Sequence, residues 1–401
     1  MRRPRAKALH VSQKPQLALH VAPTASAALL AELRNHAAAA ALPKCRRGLA
    51  LALLTRKRPM PPPPPPTMKA VVVRNAKCEL ELEWPTPTPA KGEVLIKVFA
   101  TAINRLDTMQ RAGKSPVPPG VTEVLGLEAA GVVVALGEGV DSLSLGDEVL
   151  ALVSGGGYAE YVSAAAETTM RKPPHLTFEQ AASIPEAWLT AWKLVHTIGK
   201  VQAGETVLIH AAASGVGLAA IQLVAAAGAQ PLATVGSTDK LALCQSVGAA
   251  GGAVRHDNGG RWADTIKELA PKGADVVLDP VLSSYVEQNL EVLGLDSRWV
   301  VYSMMSGAAL APELAPSFLV SLFKKRVALL PTTLRTRPLA FKQALVRGFA
   351  AAALPNIGRE GAGAMRHVVD TTYKGLDQAQ RAHEHMESNT NAGKIVLVLA
   401  D

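Results

Sequence analysis

Cysteine is scarce: the 401-residue chain carries three, Cys45, Cys78 and Cys244, far apart in sequence. They offer no disulfide framework and no C-x-x-C pair, which excludes a stapled secreted scaffold and points to an intracellular, reduced protein. No apolar run reaches the roughly 18–20 residues needed to cross a bilayer, so a membrane partner is not expected. Metal-binding spacings are missing too. "HEH" at His383–His385 lacks the i, i+4 spacing that places two ligands on one helix face, and reads as solvated helix surface. No serine stands in a G-x-S-x-G elbow, which leaves serine hydrolase chemistry without support.

Acidic residues are scarce in one region only. Residues 1–67 hold 12 Lys/Arg against one acid, Glu32, while the remainder holds 30 basic and 32 acidic residues. The formal charge of +9 therefore belongs to the first segment, and the body carries no electrostatic footprint for nucleic acid. That first segment is rich in Arg and Ala and ends in a polyproline tract, expected to be extended and disordered. Its composition fits a mitochondrial or plastid transit peptide. Met68 opens "MKAVVV", an equally natural start for the folded body, in which case residues 1–67 have no targeting role and the protein is cytoplasmic. Both readings stay open.

From Met68 the segments are short, β-branched and bounded by Gly, Pro or Asp: "KAVVV", "GEVLIKVFATAI", "AAGVVVALG", "DEVLAL". The middle of the chain changes to alternating strands and helices, the rhythm of right-handed βαβ crossovers in a parallel sheet. A mixed segment with a closing strand, "GKIVLVLA", follows. The expected fold is α/β. A β-rich outer domain over residues 68–188 and 335–401 is interrupted by a doubly wound nucleotide domain over residues 189–334.

Within that middle, "LIHAAASGVGLAAIQL" runs from strand into small-residue turn into helix. The helix would point its free N–H groups and positive end at the turn, and small side chains would let a pyrophosphate approach the backbone. Ser214, Gly215, Val216 and Gly217 are the candidate residues; a plain packing turn is the alternative. An NAD site needs an acid about 20 residues on, at the end of the next strand. Here "ATVGSTDK" places Gly236 and Ser237 there, with Lys240 following and Arg255 further along. A missing acid beside nearby cations favours a 2′-phosphate, hence NADPH.

Six stretches occur in order: "TAINRLDTMQRAGKSPVPPG", "VLGLEAAGVV", "SGGGYAEYV", "IPEAWLTAW", "LIHAAASGVGLAAIQL" and "NAGKIVLVL". Together they resemble the zinc-free quinone oxidoreductase branch of the medium-chain dehydrogenase/reductase superfamily, in particular its tumour-suppressor-inducible NADPH quinone oxidoreductase type. The resemblance implies a GroES-like outer domain with an inserted Rossmann domain, a site in the cleft between them, and a homodimer. Asn104 would line the cleft beside the nicotinamide, and Thr190 would contact its ribose or amide region. Gly215, Val216 and Gly217 would hold the pyrophosphate, Ser237 and Lys240 the 2′-phosphate, and Ser303, Met304 and Asn391 the rest of the cofactor. Ser214 becomes a marker of the subtype. Zinc-dependent members carry Gly-His-Glu where this chain has Gly126-Leu127-Glu128, and Leu127 cannot ligate zinc.

Asp107 and Arg111 match family positions too, with an intradomain ion pair as their simplest role. Two departures concern the pocket: Ser115 stands where the family commonly has a tyrosine, and Met109 where some relatives have another. A third, Arg255 for a tyrosine near the adenine phosphate, adds a cation that could also stack. The implied activity is NADPH-dependent reduction of a quinone, by hydride or by single electrons overall, with protons from solvent or substrate. Reduction of α,β-unsaturated aldehydes or enones is the alternative enzyme. A low-turnover NADPH sensor or soluble binding protein is the alternative of another class.

Overall fold

The computed structural model describes residues 63–399. The transit-peptide reading therefore falls on residues that lie, except for the last few, outside the described ones.

The β-branched first segment forms a hairpin of β1 (Thr67–Arg74) and β2 (Lys77–Pro85), whose turn holds Asn75 and Ala76 at positive φ, the backbone that matches strand twist. β3 (Glu93–Ala102) leads into α1 (Arg105–Arg111), then β4 (Glu128–Leu136), β5 (Glu148–Leu152), β6 (Tyr161–Ala165) and β7 (Thr169–Arg171). Next come α2 (Phe178–Ala182) and α3 (Pro185–Trp192), the latter continuing as a π-helical turn over Lys193–Ile198. The alternating part follows: β8 (Thr206–Ile209), α4 (Gly215–Ala226), β9 (Gln230–Val235), α5 (Thr238–Ser246), β10 (Gly251–Val254) and α6 (Trp262–Leu269). It continues through β11 (Ala274–Asp279), α7 (Val286–Val292), β12 (Leu293–Val301), α8 (Ala315–Lys325) and β13 (Ala328–Pro331). The chain closes with α9 (Leu339–Ala352), β14 (Val369–Lys374), α10 (Ala379–Glu387) and β15 (Lys394–Val398).

Two sheets organise these elements. Six parallel strands stand in the order β10-β9-β8-β11-β12-β13, so the winding reverses between β8 and β11. In such a sheet the crevice beyond the carboxyl ends at the reversal is where ligands bind. The other sheet runs β14-β15-β3-β4-β5-β7, with β6 paired to β3. β15 pairs antiparallel with β3, Val396 opposite Ala102, so the last strand completes a sheet begun before the parallel one. This is the inserted α/β arrangement expected from the rhythm of the sequence.

The core ties the two sheets together at the crevice. α4 buries Leu218, Ala219, Ala220, Ile221, Leu223 and Val224, and α3 buries Trp188 and Leu189. Both helices share one apolar cluster with Leu150 and Leu152 of β5 and Phe349 of α9. Each such large side chain stabilises by about 1.5–3 kcal/mol on full burial, which fixes the crevice walls.

Candidate active site

β8 is buried after its first residue and carries the chain to His210, which is fully buried. His210 meets Thr234 Oγ1 through Nδ1 and Asn289 Oδ1 through Nε2, both at 2.7 Å. Asp279 accepts from Asn289 Nδ2 and Trp299 Nε1, each at 3.0 Å, on the same carboxylate oxygen. This network joins β8, β9, α7, β11 and β12 at the edge of the crevice, and burial pulls the His210 pKa down so that the ring stays neutral. The turn that follows puts Ala211 at positive φ and ends on Ser214, whose Oγ accepts from Gly217 N at 3.1 Å and caps α4. The small residues matter at two points. A Cβ at Gly217 would stand 2.4 Å from the Ala212 carbonyl oxygen, and one at Gly215 would stand 2.5 Å from Lys394 Cδ.

A cavity of about 620 Å³ opens in front of this turn. Asn104, Ser115, Thr190, Ser214, Gly215, Val216, Gly236, Lys240, Arg255, Ser303 and Asn391 line it. Three other sequence candidates do not. Gly217 is a packing glycine under the turn, Ser237 caps α5 through Lys240 N at 3.4 Å, and Met304 is exposed while its neighbour Met305 faces the cavity.

At the β9 end no acid lines the wall beside Gly236. Lys240 reaches across to the Asn389 carbonyl oxygen at 2.7 Å, and Arg255 Nε donates to His256 Nε2 at 2.9 Å. Burial lowers the Lys240 pKa, with Arg255 adding to it and Asp370 opposing.

The middle of the cavity rests on a buried polar hub. Glu128, fully buried on β4, accepts at Oε1 from Lys394 Nζ and Asn104 Nδ2, both at 2.8 Å, and at Oε2 from Glu186 N at 2.8 Å. Lys394 also donates to Asn104 Oδ1 at 2.7 Å and to the Ile103 carbonyl oxygen at 2.9 Å. Asn104 Nδ2 gives its other hydrogen to the Ala102 carbonyl oxygen at 3.2 Å. Both amide hydrogens are thus committed, and Asn104 has no donor left for the cavity. One carboxylate so fixes β4, the start of α1, the start of α3 and β15. Sequence patterns did not single out Glu128, Lys394 or Glu186; the available signal was an acid and a lysine embedded in the apolar runs "LGLEAAGVV" and "GKIVLVL".

Two sequence expectations are corrected here. His383 is fully buried rather than solvated, 3.3 Å from Tyr158 OH and 3.6 Å from Cys78 Sγ, and burial lowers its pKa to about 3. Asp107 and Arg111 do not pair with each other. Asp107 accepts from Asn104 N at 2.8 Å and Tyr158 OH at 3.0 Å, while Arg111 clasps both Glu387 oxygens at 2.7 Å. A helix surface period cannot reveal that α10 turns one histidine inward against β2 and α1.

Met109, Ser115, Pro116, Pro118, Glu186, Thr190, Lys193 and Arg335 also line the cavity. Burial raises the Glu186 carboxyl to about 7, with the Glu128 charge adding to the effect.

Comparison with known proteins accords with this geometry. The family profile described as alcohol dehydrogenase GroES-like domain matches residues 90–174, and that of zinc-binding dehydrogenase matches residues 215–350. A quinone oxidoreductase of Sus scrofa is 34% identical over 310 residues, covering 77% of this chain and 89% of that protein. The chain belongs to the quinone oxidoreductase family of medium-chain dehydrogenases/reductases. Within it, the synaptic vesicle membrane protein VAT-1 homolog of Rattus norvegicus is 33% identical over 213 residues, 53% of this chain and 52% of that protein. The chain thus matches about half the length of that relative. A solved mycobacterial protein complexed with NADPH superposes with a TM-score of 0.67 at 27% identity, covering 83% of this chain and 100% of that one. Among the described residues no group of three or more His, Cys, Asp or Glu is placed to hold a metal ion. No helix among them is long and apolar enough to cross a membrane.

Proposed function

We propose that the protein is an NADPH-dependent quinone reductase whose chemistry needs no metal ion. One observation carries the reading: a single cavity is lined both by two cations beside the end of β9, where an acid would be needed for NAD, and by the apolar Met109, Pro116 and Pro118. The residues present fit the dinucleotide. The start of α4 offers free N–H groups to a pyrophosphate, Gly215 and Val216 line the cavity at that point, and Lys240 and Arg255 suit a 2′-phosphate. The quinone oxidoreductase relative and the NADPH-bound mycobacterial neighbour support the same assignment. When bound, the reduced nicotinamide supplies a hydride. The protein's part is to hold acceptor and cofactor in contact and to exclude water. Leu127, buried where zinc-dependent members place histidine, offers no ligand atom.

The test is to follow NADPH absorbance with the protein and ortho-quinones, para-quinones and short alkenals. Turnover of at least one quinone class is expected; tight NADPH binding with no quinone reduced would overturn the reading. Reduction of conjugated enals is the second reading, and Lys193 favours it, because an enolate needs the proton an ammonium can give.

The same proposal includes a homodimer. β13 is an edge strand with Leu329 exposed, and the neighbouring α8 exposes Leu319 at 72% and Phe323 at 84%. An open apolar edge of this kind calls for a second copy. Phe323→Glu is expected to halve the mass measured by light scattering, and a wild-type monomer would contradict the dimer.

A further inference from the structure

The cavity lining around Lys193 holds more positive charge than Glu186 alone neutralises. Lys193 opens the π-helical turn that extends α3, and with Glu186 and Thr190 it lines one wall. Such turns recur at functional sites because they re-aim a side chain. Lys193 is 1% exposed, yet its ammonium makes no hydrogen bond or ion pair with a described residue. Arg335 lines the same cavity. Its Nε donates to the Ser154 carbonyl oxygen at 2.7 Å, and both terminal nitrogens are buried without a partner. Lys342 stands behind, donating to the Arg335 carbonyl oxygen at 2.7 Å and Ser154 Oγ at 3.2 Å, and Arg337 donates to Thr332 Oγ1 at 3.0 Å. Glu186 is the one carboxyl among these cations that lines the cavity.

A nearly buried ammonium that makes no hydrogen bond, with Glu186 the one carboxylate favouring its charge, is expensive to keep, and the two partnerless Arg335 nitrogens ask what they serve. Here a partner would form during the reaction itself. We propose that Lys193 is the proton donor of the reduction, stabilising the anion that collects on the acceptor oxygen and then protonating it. The inference rests on the reductase reading above. The acceptor gains the hydride and its electron pair from the reduced nicotinamide, and the electrons of its conjugated carbonyl collect on oxygen. The N–H bond of Lys193 then breaks as the O–H bond forms. The neutral amine regains a proton from water in the cavity, so each turnover delivers one hydride and one solvent proton. The fixed charge of Arg335 favours the anion without touching it, a positioning role.

Burial lowers Lys193 to about 8, with Glu186 opposing and Arg337 adding to the shift. Arg335 and Lys342 complete the charged groups around it through their shared field with Glu186. The protonated form is the working one, so kcat should be level below that pH and fall ~10-fold per unit above it.

The experiment pairs kinetics with a readout that needs no turnover. For Lys193→Gln, kcat with a quinone should fall about 100-fold, the fall above pH 8 should vanish, and NADPH affinity should hold. In the absence of cofactor, 4-nitrophenol should bind the wild type as the yellow phenolate at a pH where free nitrophenol is colourless. Lys193→Gln should lose that band and Lys193→Arg should keep it. Wild-type kcat and pH profile in Lys193→Gln would overturn the proposal. So would a loss of kcat with nitrophenol binding unchanged, which marks a structural role. If the wild type reduces no quinone, the reductase reading fails and the nitrophenol titration still decides the place of Lys193.

Discussion

Replacing Glu128 by leucine should destabilise the fold by about 3–5 kcal/mol, the cost of leaving one member of a buried ion pair alone. The carboxylate is fully buried, and its removal strands Lys394 Nζ, one hydrogen of Asn104 and the backbone N–H of Glu186. Chemical denaturation should show a lower midpoint with an unchanged slope. Lys394→Met alone should cost a similar amount. The double variant Glu128→Leu/Lys394→Met should cost clearly less than the sum, because neither charge is then left unpaired. Additive losses would mean that the two residues act separately, and that the hub is not the device linking β15 to β4.

The joint change Lys240→Ala/Arg255→Ala should weaken NADPH binding by about 100-fold or more and leave NADH within a few-fold. A hydrogen bond to a charged group contributes about 1.5–3 kcal/mol, and both side chains line the cavity at the end of β9. The effect should shrink with salt, since Lys240 is half-buried and Arg255 exposed. In the wild type, NADPH should bind more tightly than NADH. Equal affinity for the two cofactors before mutation, or equal loss of both after it, would remove the 2′-phosphate assignment.

Local signals carried the fold well and the site unevenly. The strand–turn–helix at Ser214–Gly217 was legible because period, small residues and capping chemistry all lie within a dozen positions. The discontinuous outer sheet was legible from the closing strand "GKIVLVLA" alone. The cations of the β9 end were visible because they follow an acid's expected place. The hub was not: Glu128 and Lys394 stand 266 residues apart, and only the pairing of β15 with β3 brings them together. The same holds for His383, turned into the core by α10 against a strand from the start of the chain. Lys193 was hidden for a different reason. A helix period treats it as one more polar residue, whereas the structure shows it nearly buried in the cavity lining at the head of the π-helical turn.

These placements also revise what a proton donor requires. With Ser115 and Met109 where relatives carry tyrosines, the sequence left protons to solvent or substrate. The structure places a nearly buried lysine, Lys193, in the lining of the same cavity.

The central claim, that this cleft passes reducing equivalents from NADPH to a quinone, is tested most directly by a single turnover. The protein is loaded with less than one equivalent of NADPH, mixed anaerobically with a para-quinone, and followed by cofactor absorbance. An exponential loss of the reduced cofactor is expected, faster than in the absence of protein and much slower in Lys193→Gln. Decay at the uncatalysed rate, with NADPH demonstrably bound, would contradict it.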